Sequence, residues 1–144
     1  LLAGVLGMST WSLWRQIHPQ TEDGMGDHAH MAEAFEVVKL GCTPAVPNAA
    51  GELMISKDGQ FALLVVIGLP ILDPDYKYQL WLVRDGQRTS GGMFTVTSGG
   101  YGSMTLSLPQ SLSGYSHFDV TIEPADGSPV PTGDTVLETR SQML

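Results

Sequence analysis

Ser116, His117 and Asp119 bring together a hydroxyl, an imidazole and a carboxylate, the side-chain types from which a hydrolase builds a nucleophile, a base and an orienting acid. Their spacing argues against that use. Ser116 and His117 are adjacent in a stretch that reads as a strand, so their side chains point to opposite faces. The surrounding Gly114-Tyr115-Ser116-His117-Phe118 also lacks the second glycine of a nucleophile elbow. Asp27, His28 and His30 offer a zinc or copper ligand set, since imidazole suits both metals. In a helix, however, His28 and His30 would point about 200° apart, and only an extended chain would align them. The polar stretch that holds them, with His18, reads instead as a solvated linker. Cys42 has no histidine shortly after it, and His117 is expected to face solvent, which disfavours a cupredoxin-like copper site. Paired zinc cysteines, a phosphate loop and a Glu-x-x-His pair are absent from the sequence. Asp73, Asp75, Glu123, Asp126 and Asp134 lie near loops without the spacing of a calcium loop, as scattered carboxylates of a solvated acidic surface do. The expectation is therefore a chain that is not an enzyme, with no catalytic, cofactor-binding or metal-binding residues.

Composition narrows the class further. The 144 residues carry 15 acids against 7 bases, for a net charge of -8, which repels nucleic acid backbones and predicts no nucleic acid partner. Gly (17) and Pro (9) fall between short apolar runs, the pattern of a turn-rich β protein. Cys42 is the only cysteine and has no internal disulfide partner. Leu40-Gly41-Cys42 does not make a lipoprotein acylation site, because Lys39 precedes it and no apolar signal segment does. A small, buried or half-buried thiol is expected there.

The elements are organised around Tyr78 to Phe94. Tyr78, Leu80 and Leu82 fall on one face of a strand and Gln79, Trp81 and Val83 on the other, so the strand belongs in the middle of a sheet. Asp85-Gly86 makes a tight hairpin turn after it. Strands are expected at 35–40, 52–56, 61–67, 77–83, 93–97, 103–108, 117–123 and 135–139. In 103–108, Met104, Leu106 and Leu108 point inward; in 117–123, Phe118, Val120 and Ile122 do, while His117, Asp119, Thr121 and Glu123 meet water. Lys57-Asp58-Gly59 turns a second hairpin, and Pro70 with Pro74 interrupts the ladder after Ile67. Short strands at this spacing predict an all-β fold: an antiparallel two-sheet β-sandwich with Greek-key, immunoglobulin-like connections, with a closed barrel as the alternative. The loop 124–133, rich in proline and glycine, is expected to be rigid, either as a binding feature or as a plain connection between the last two strands.

The chain divides into an apolar helix at 1–15, a polar linker at 16–34, the β domain at 35–140 and a tail at 141–144. Leu1 to Trp14 carries no charge and ends in Trp11 and Trp14 before Arg15, as the outer half of a membrane helix would. A signal-peptide remnant and an amphipathic packing helix are the alternatives. If the stretch is free of lipid, it and the exposed Met25 and Met31 favour a homo-oligomer. A short helix beginning at Asp27 fits the end of the linker.

YQLWLVRDG followed by GGMF, and then DVTIEPADGSPVPTGDTVL at 119–137, resembles the C-terminal, extracytoplasmic domain of the anti-sigma-K factor (RskA-like) family. The resemblance covers 35–140. Its motif falls here on Tyr78, Gln79, Leu80, Trp81, Leu82, Gly92, Phe94, Thr121, Glu123, Pro124, Gly127, Pro131, Thr132 and Gly133, which read as fold-defining positions. Ala125-Asp126-Gly127 departs from the small residues and paired glycines more common there. Gln79, Thr121 and Glu123 would satisfy one another or buried backbone if their strands were neighbours. The resemblance implies a single-pass cell-membrane protein whose outer domain, residues 16–144 here, senses or gates proteolysis, the cleavage by a regulatory protease releasing an extracytoplasmic-function sigma factor. The sigma-binding segment would lie outside this sequence. Two other readings stand beside it: a cell-surface β-sandwich module that binds a ligand or protein, and a metal carrier using His18, His28 and His30.

Overall fold

The computed structural model describes residues 34–107 and 111–140. The apolar stretch 1–15, nearly all of the 16–34 linker with its histidines, Leu108 and the 141–144 tail lie outside the described residues. Among the described residues, no helix is long and apolar enough to cross a membrane.

Eight strands follow in order: β1 (Phe35–Cys42), β2 (Ala50–Ser56), β3 (Phe61–Ile67), β4 (Tyr76–Arg84), β5 (Gln87–Phe94), β6 (Gly102–Ser107), β7 (His117–Pro124) and β8 (Thr135–Thr139). All pair antiparallel, in one continuous sheet of order β5-β4-β7-β8-β1-β2-β3-β6. This corrects the two-sheet sandwich. The last strand closes the gap that would have separated two sheets, pairing with β7 through Val120↔Leu137 and with β1 through Leu40↔Thr139. The sheet then curls until its outer strands approach each other. A Cβ on Gly91 would stand 3.1 Å from Leu106 Cδ2, and one on Gly92 2.9 Å from Met104 Sδ. The result is barrel-like rather than a sandwich.

Local sequence explains most of the elements. Asp85 (φ 50°) and Gly86 (φ 77°) both lie in the left-handed region and bring Arg84 opposite Gln87, the two-residue turn that matches the twist of a hairpin. The return strand begins at once, so the strand expected at 93–97 lies instead at Gln87–Phe94. Gln87 to Ser90 looked like turn residues because they are polar, but β5 is an edge strand and their side chains are exposed. A bulge at Gly91, between Leu80↔Gly92 and Trp81↔Ser90, bends this edge toward β6.

The interior is filled by one face of every strand. Leu53, Leu64, Val66, Leu80, Val120 and Leu137 are among its fully buried members, and Tyr78 stacks on Phe94 with ring centroids 5.5 Å apart. Two connections cross the ends of the barrel and each drops a leucine into it. Leu69 plugs one end from the proline-bearing 68–75 segment, held by Leu69 N–H donating to Gly100 O. Leu112 plugs the other, its N–H donating to Gly59 O. Arg84 fixes that second connection, lying 4.0 Å over the Tyr115 ring and donating from Nη2 to Ser113 O at 2.8 Å. Cys42 is half-buried, with Sγ 3.3 Å from Pro47 O.

Candidate functional site

β4 is buried on both faces, and only one of them faces the barrel interior. Trp81 is completely buried, yet it stands on the outer face with Gln79. β7 pairs with β4 in the register Gln79↔Thr121, Trp81↔Asp119 and Lys77↔Glu123, so Asp119, Thr121 and Glu123 share that outer face. They were expected to meet water, as alternate residues of a strand exposed on one side do. The structure corrects this for all three: Asp119 is 4% exposed, Thr121 1% and Glu123 0%. What covers Thr121 and Glu123 is the Trp81 indole together with the 124–133 loop, which leaves β7, doubles back over it and returns as β8.

The loop is clasped at two points. At the first, Gln79 acts as a backbone partner: its Nε2 donates to Ser128 O at 3.1 Å and its Oε1 accepts from Ser128 N–H at 3.1 Å. The same Nε2 donates to Ser90 Oγ on β5 at 2.9 Å. At the second, Glu123 accepts from the Thr132 N–H at 2.9 Å, from the Gly133 N–H at 3.2 Å and from the Thr132 hydroxyl. A chain of hydrogen bonds runs into this carboxylate from the indole: Trp81 Nε1 donates to Thr121 Oγ1 at 2.8 Å, and that hydroxyl donates to Glu123 Oε1 at 2.6 Å. Gly133 is required where it stands, because a Cβ there would collide with the Ile122 carbonyl.

Burial alone would raise the Glu123 pKa, since a low-dielectric setting disfavours charge. The hydroxyls of Thr121 and Thr132 and the backbone N–H groups of Thr132 and Gly133 outweigh it and hold the carboxyl down at about 2, against an ordinary value of 4.5. Glu123 is thus a buried anion neutralised by dipoles, with no cation paired to it among the described residues. Asp119, further along the same face, is held differently. Arg88 Nε contacts its Oδ2 at 3.1 Å and His117 Nε2 its Oδ1 at 2.7 Å. Among the described residues, no buried side-chain nitrogen or oxygen lacks a hydrogen-bond partner.

The motif residues therefore separate into four places. Tyr78, Leu80, Leu82 and Phe94 belong to the interior, where burial pushes the Tyr78 phenol up to about 12 while its hydroxyl donates to Pro70 O at 2.6 Å. Gly92 lies at the approach of β5 to β6. Gln79, Trp81, Thr121 and Glu123 form the outer network, and Pro124, Gly127, Pro131, Thr132 and Gly133 belong to the loop it holds. Ser90, Ser128 and Arg88 complete the arrangement and were not singled out from the sequence. Ser128 contributes only backbone atoms, which carry no residue-type signal.

As chemistry, this is a clasp: its acceptors are occupied and no nucleophile faces it. Ser116 is exposed at the start of β7, and the His117 imidazole turns to Asp119. Among the described residues, no three His, Cys, Asp or Glu side chains converge as a metal site.

A barrel-like β domain with a proline-rich loop pinned to its outer face is the class of protein these observations define. Compared with known families, residues 1–136 match the family described as anti-sigma-K factor rskA, C-terminal, and the chain belongs to that family. No curated protein and no solved structure matches the chain.

Proposed function

We propose that this chain is the non-enzymatic, extracytoplasmic regulatory domain of a membrane-bound anti-sigma factor, which controls an extracytoplasmic-function sigma factor through regulated proteolysis. The observation that carries this reading is the family match over residues 1–136, most of the chain. Membership in a family of membrane-associated anti-sigma factors makes a sigma factor the expected partner, engaged through a segment outside this sequence. In this reading residues 1–15 enter the membrane, and 16–144 lie on its outer side. A regulatory role needs no reacting groups; it needs a domain that stays folded until a signal reaches it. The clasped loop fits that requirement, because Glu123 and Gln79 fix the 124–133 segment to β4 and β7.

The test is to express the full-length gene product and ask whether a sigma factor co-purifies with it. Recovery of a sigma factor, lost when the segment upstream of Leu1 is deleted, is the expected result. A product that brings down no sigma factor, with only a signal peptide upstream, would leave a secreted or anchored β module instead.

A further inference from the structure

Antiparallel pairing gives the two ends of the barrel different characters. Phe35 pairs with Ser56, and β8 runs antiparallel to β1 and to β7 with Glu138 opposite Asp119, so the chain enters β1 at one end and leaves β8 toward that same end. The segments 43–49, 68–75, 95–101 and 124–134 gather at the other. That distal rim exposes large apolar side chains: Ile71 is 61% exposed, Ile67 53%, Tyr101 50% and Tyr76 49%. Among them opens a cavity of about 170 Å³ lined by Ile71, Leu72, Asp73, Tyr76, Tyr78 and Val96, with Lys77 also on its wall. Its floor is rigid, since Tyr78 is stacked on Phe94 and bonded to Pro70.

We propose that this rim is a docking surface for an extended, basic segment of a partner protein that presents an apolar side chain to the cavity. Three observations select that occupant. The cavity is below the roughly 300 Å³ at which small-molecule pockets begin, and it suits a single side chain. The four segments contain Asp73, Asp75, Asp126 and Asp134, all exposed, and no Lys or Arg, so the rim stays net negative with the half-buried Lys77 of the cavity wall counted in. None of these carboxylates makes an ion pair with a described residue. A second copy docked rim to rim would set these carboxylates against each other, and an anionic membrane or nucleic acid would be repelled likewise. A cationic segment is drawn in, with lysine or arginine beside the carboxylates and an aliphatic or aromatic side chain over Ile71 and Tyr76.

The inference rests on the regulatory reading only for its biological setting, and its test is separate from sigma-factor recovery. The intact chain is titrated with a short peptide of alternating Lys and Leu while backbone amide shifts are followed by NMR, with Glu-Leu and Lys-Ser peptides run alongside. The expected result is a shift of the amides of Ile71, Asp73, Tyr76 and Val96 by the Lys-Leu peptide alone. Binding should weaken about three- to tenfold in the D73N/D75N double variant, as loss of rim charges predicts. Ile71→Ser should abolish the shifts at Tyr76 and Val96. These positions are exposed, so an otherwise unchanged amide spectrum verifies that the variants fold. Equal binding of the Lys-Ser peptide, shifts centred elsewhere, or affinity unmoved by D73N/D75N would each overturn the proposal.

Discussion

The two faces of β4 are buried to the same degree by opposite means. Tyr78, Leu80 and Leu82 point into the barrel, where neighbouring strands supply apolar atoms on every side. Gln79 and Trp81 point outward, where the 124–133 loop supplies a donor and an acceptor to Gln79 and Thr121 of β7 supplies the acceptor for the Trp81 indole. Apolar burial is non-directional and tolerates exchanges that keep volume, at a cost commonly under about 1.5 kcal/mol. Polar burial depends on each partner being present, because an abandoned donor or acceptor keeps its desolvation cost of about 1–3 kcal/mol. Both faces thus contribute to stability, and the outer face in addition holds a loop in one place.

Breaking each face in turn separates these contributions. Trp81→Ala should have the largest effect, about 3–5 kcal/mol in urea unfolding, because it removes the largest buried side chain of the outer face and the hydrogen bond that Thr121 Oγ1 accepts. Leu80→Ala, directly across the strand, is the matched control at about 2–5 kcal/mol. A Trp81 effect below about 1 kcal/mol would show that the outer face is an accessory of the barrel.

Glu123→Gln keeps the shape but turns an amide donor toward a pocket of donors, and should cost about 3 kcal/mol. Hydrogen exchange at Thr132 and Gly133 should rise with it while the interior strands stay protected. If the interior exchanges equally fast, the clasp and the core are one cooperative unit.

The same residue predicts a pH dependence. The folded pKa of Glu123 lies below its unfolded value, so its contribution is complete above about 4.5 and is lost as pH falls toward about 2. The stability difference between wild type and Glu123→Gln should shrink across that window; a difference constant from pH 6 to 2 would mean that Glu123 is not charged in the fold.

Smaller effects should follow at the periphery. Gln79→Ala frees the Ser128 end of the loop and should cost about 1–2 kcal/mol, read most directly as faster exchange of the Ser128 amide. Arg88→Ala should cost about 0.5 kcal/mol, since the arginine is largely exposed and His117 still contacts Asp119.

Particular residues show how much of this was legible in the sequence. The Asp85-Gly86 turn could be placed because both positions need a positive φ that few residue pairs tolerate. Phe118 and Val120 could be assigned to the interior from strict alternation. That alternation also marked Thr121 and Glu123 as outward, which is correct, and as wet, which is not. Outward becomes wet only if nothing folds back, and local pattern does not report a loop that does. The polar start of β5 was missed for a related reason: an edge strand that packs little apolar surface looks like a turn.

The sequence by itself determined that the described chain is built of short antiparallel strands, which turns join them, and which faces are apolar, because these follow from side-chain alternation and backbone sterics. Only the tertiary structure decided that the strands form one curled sheet, since that depends on β8 pairing with both β7 and β1 across long separations. It also decided that Glu123 is a buried anion: the four donors that keep it charged come from Thr121, Thr132 and Gly133, and they converge only when the loop closes over β7.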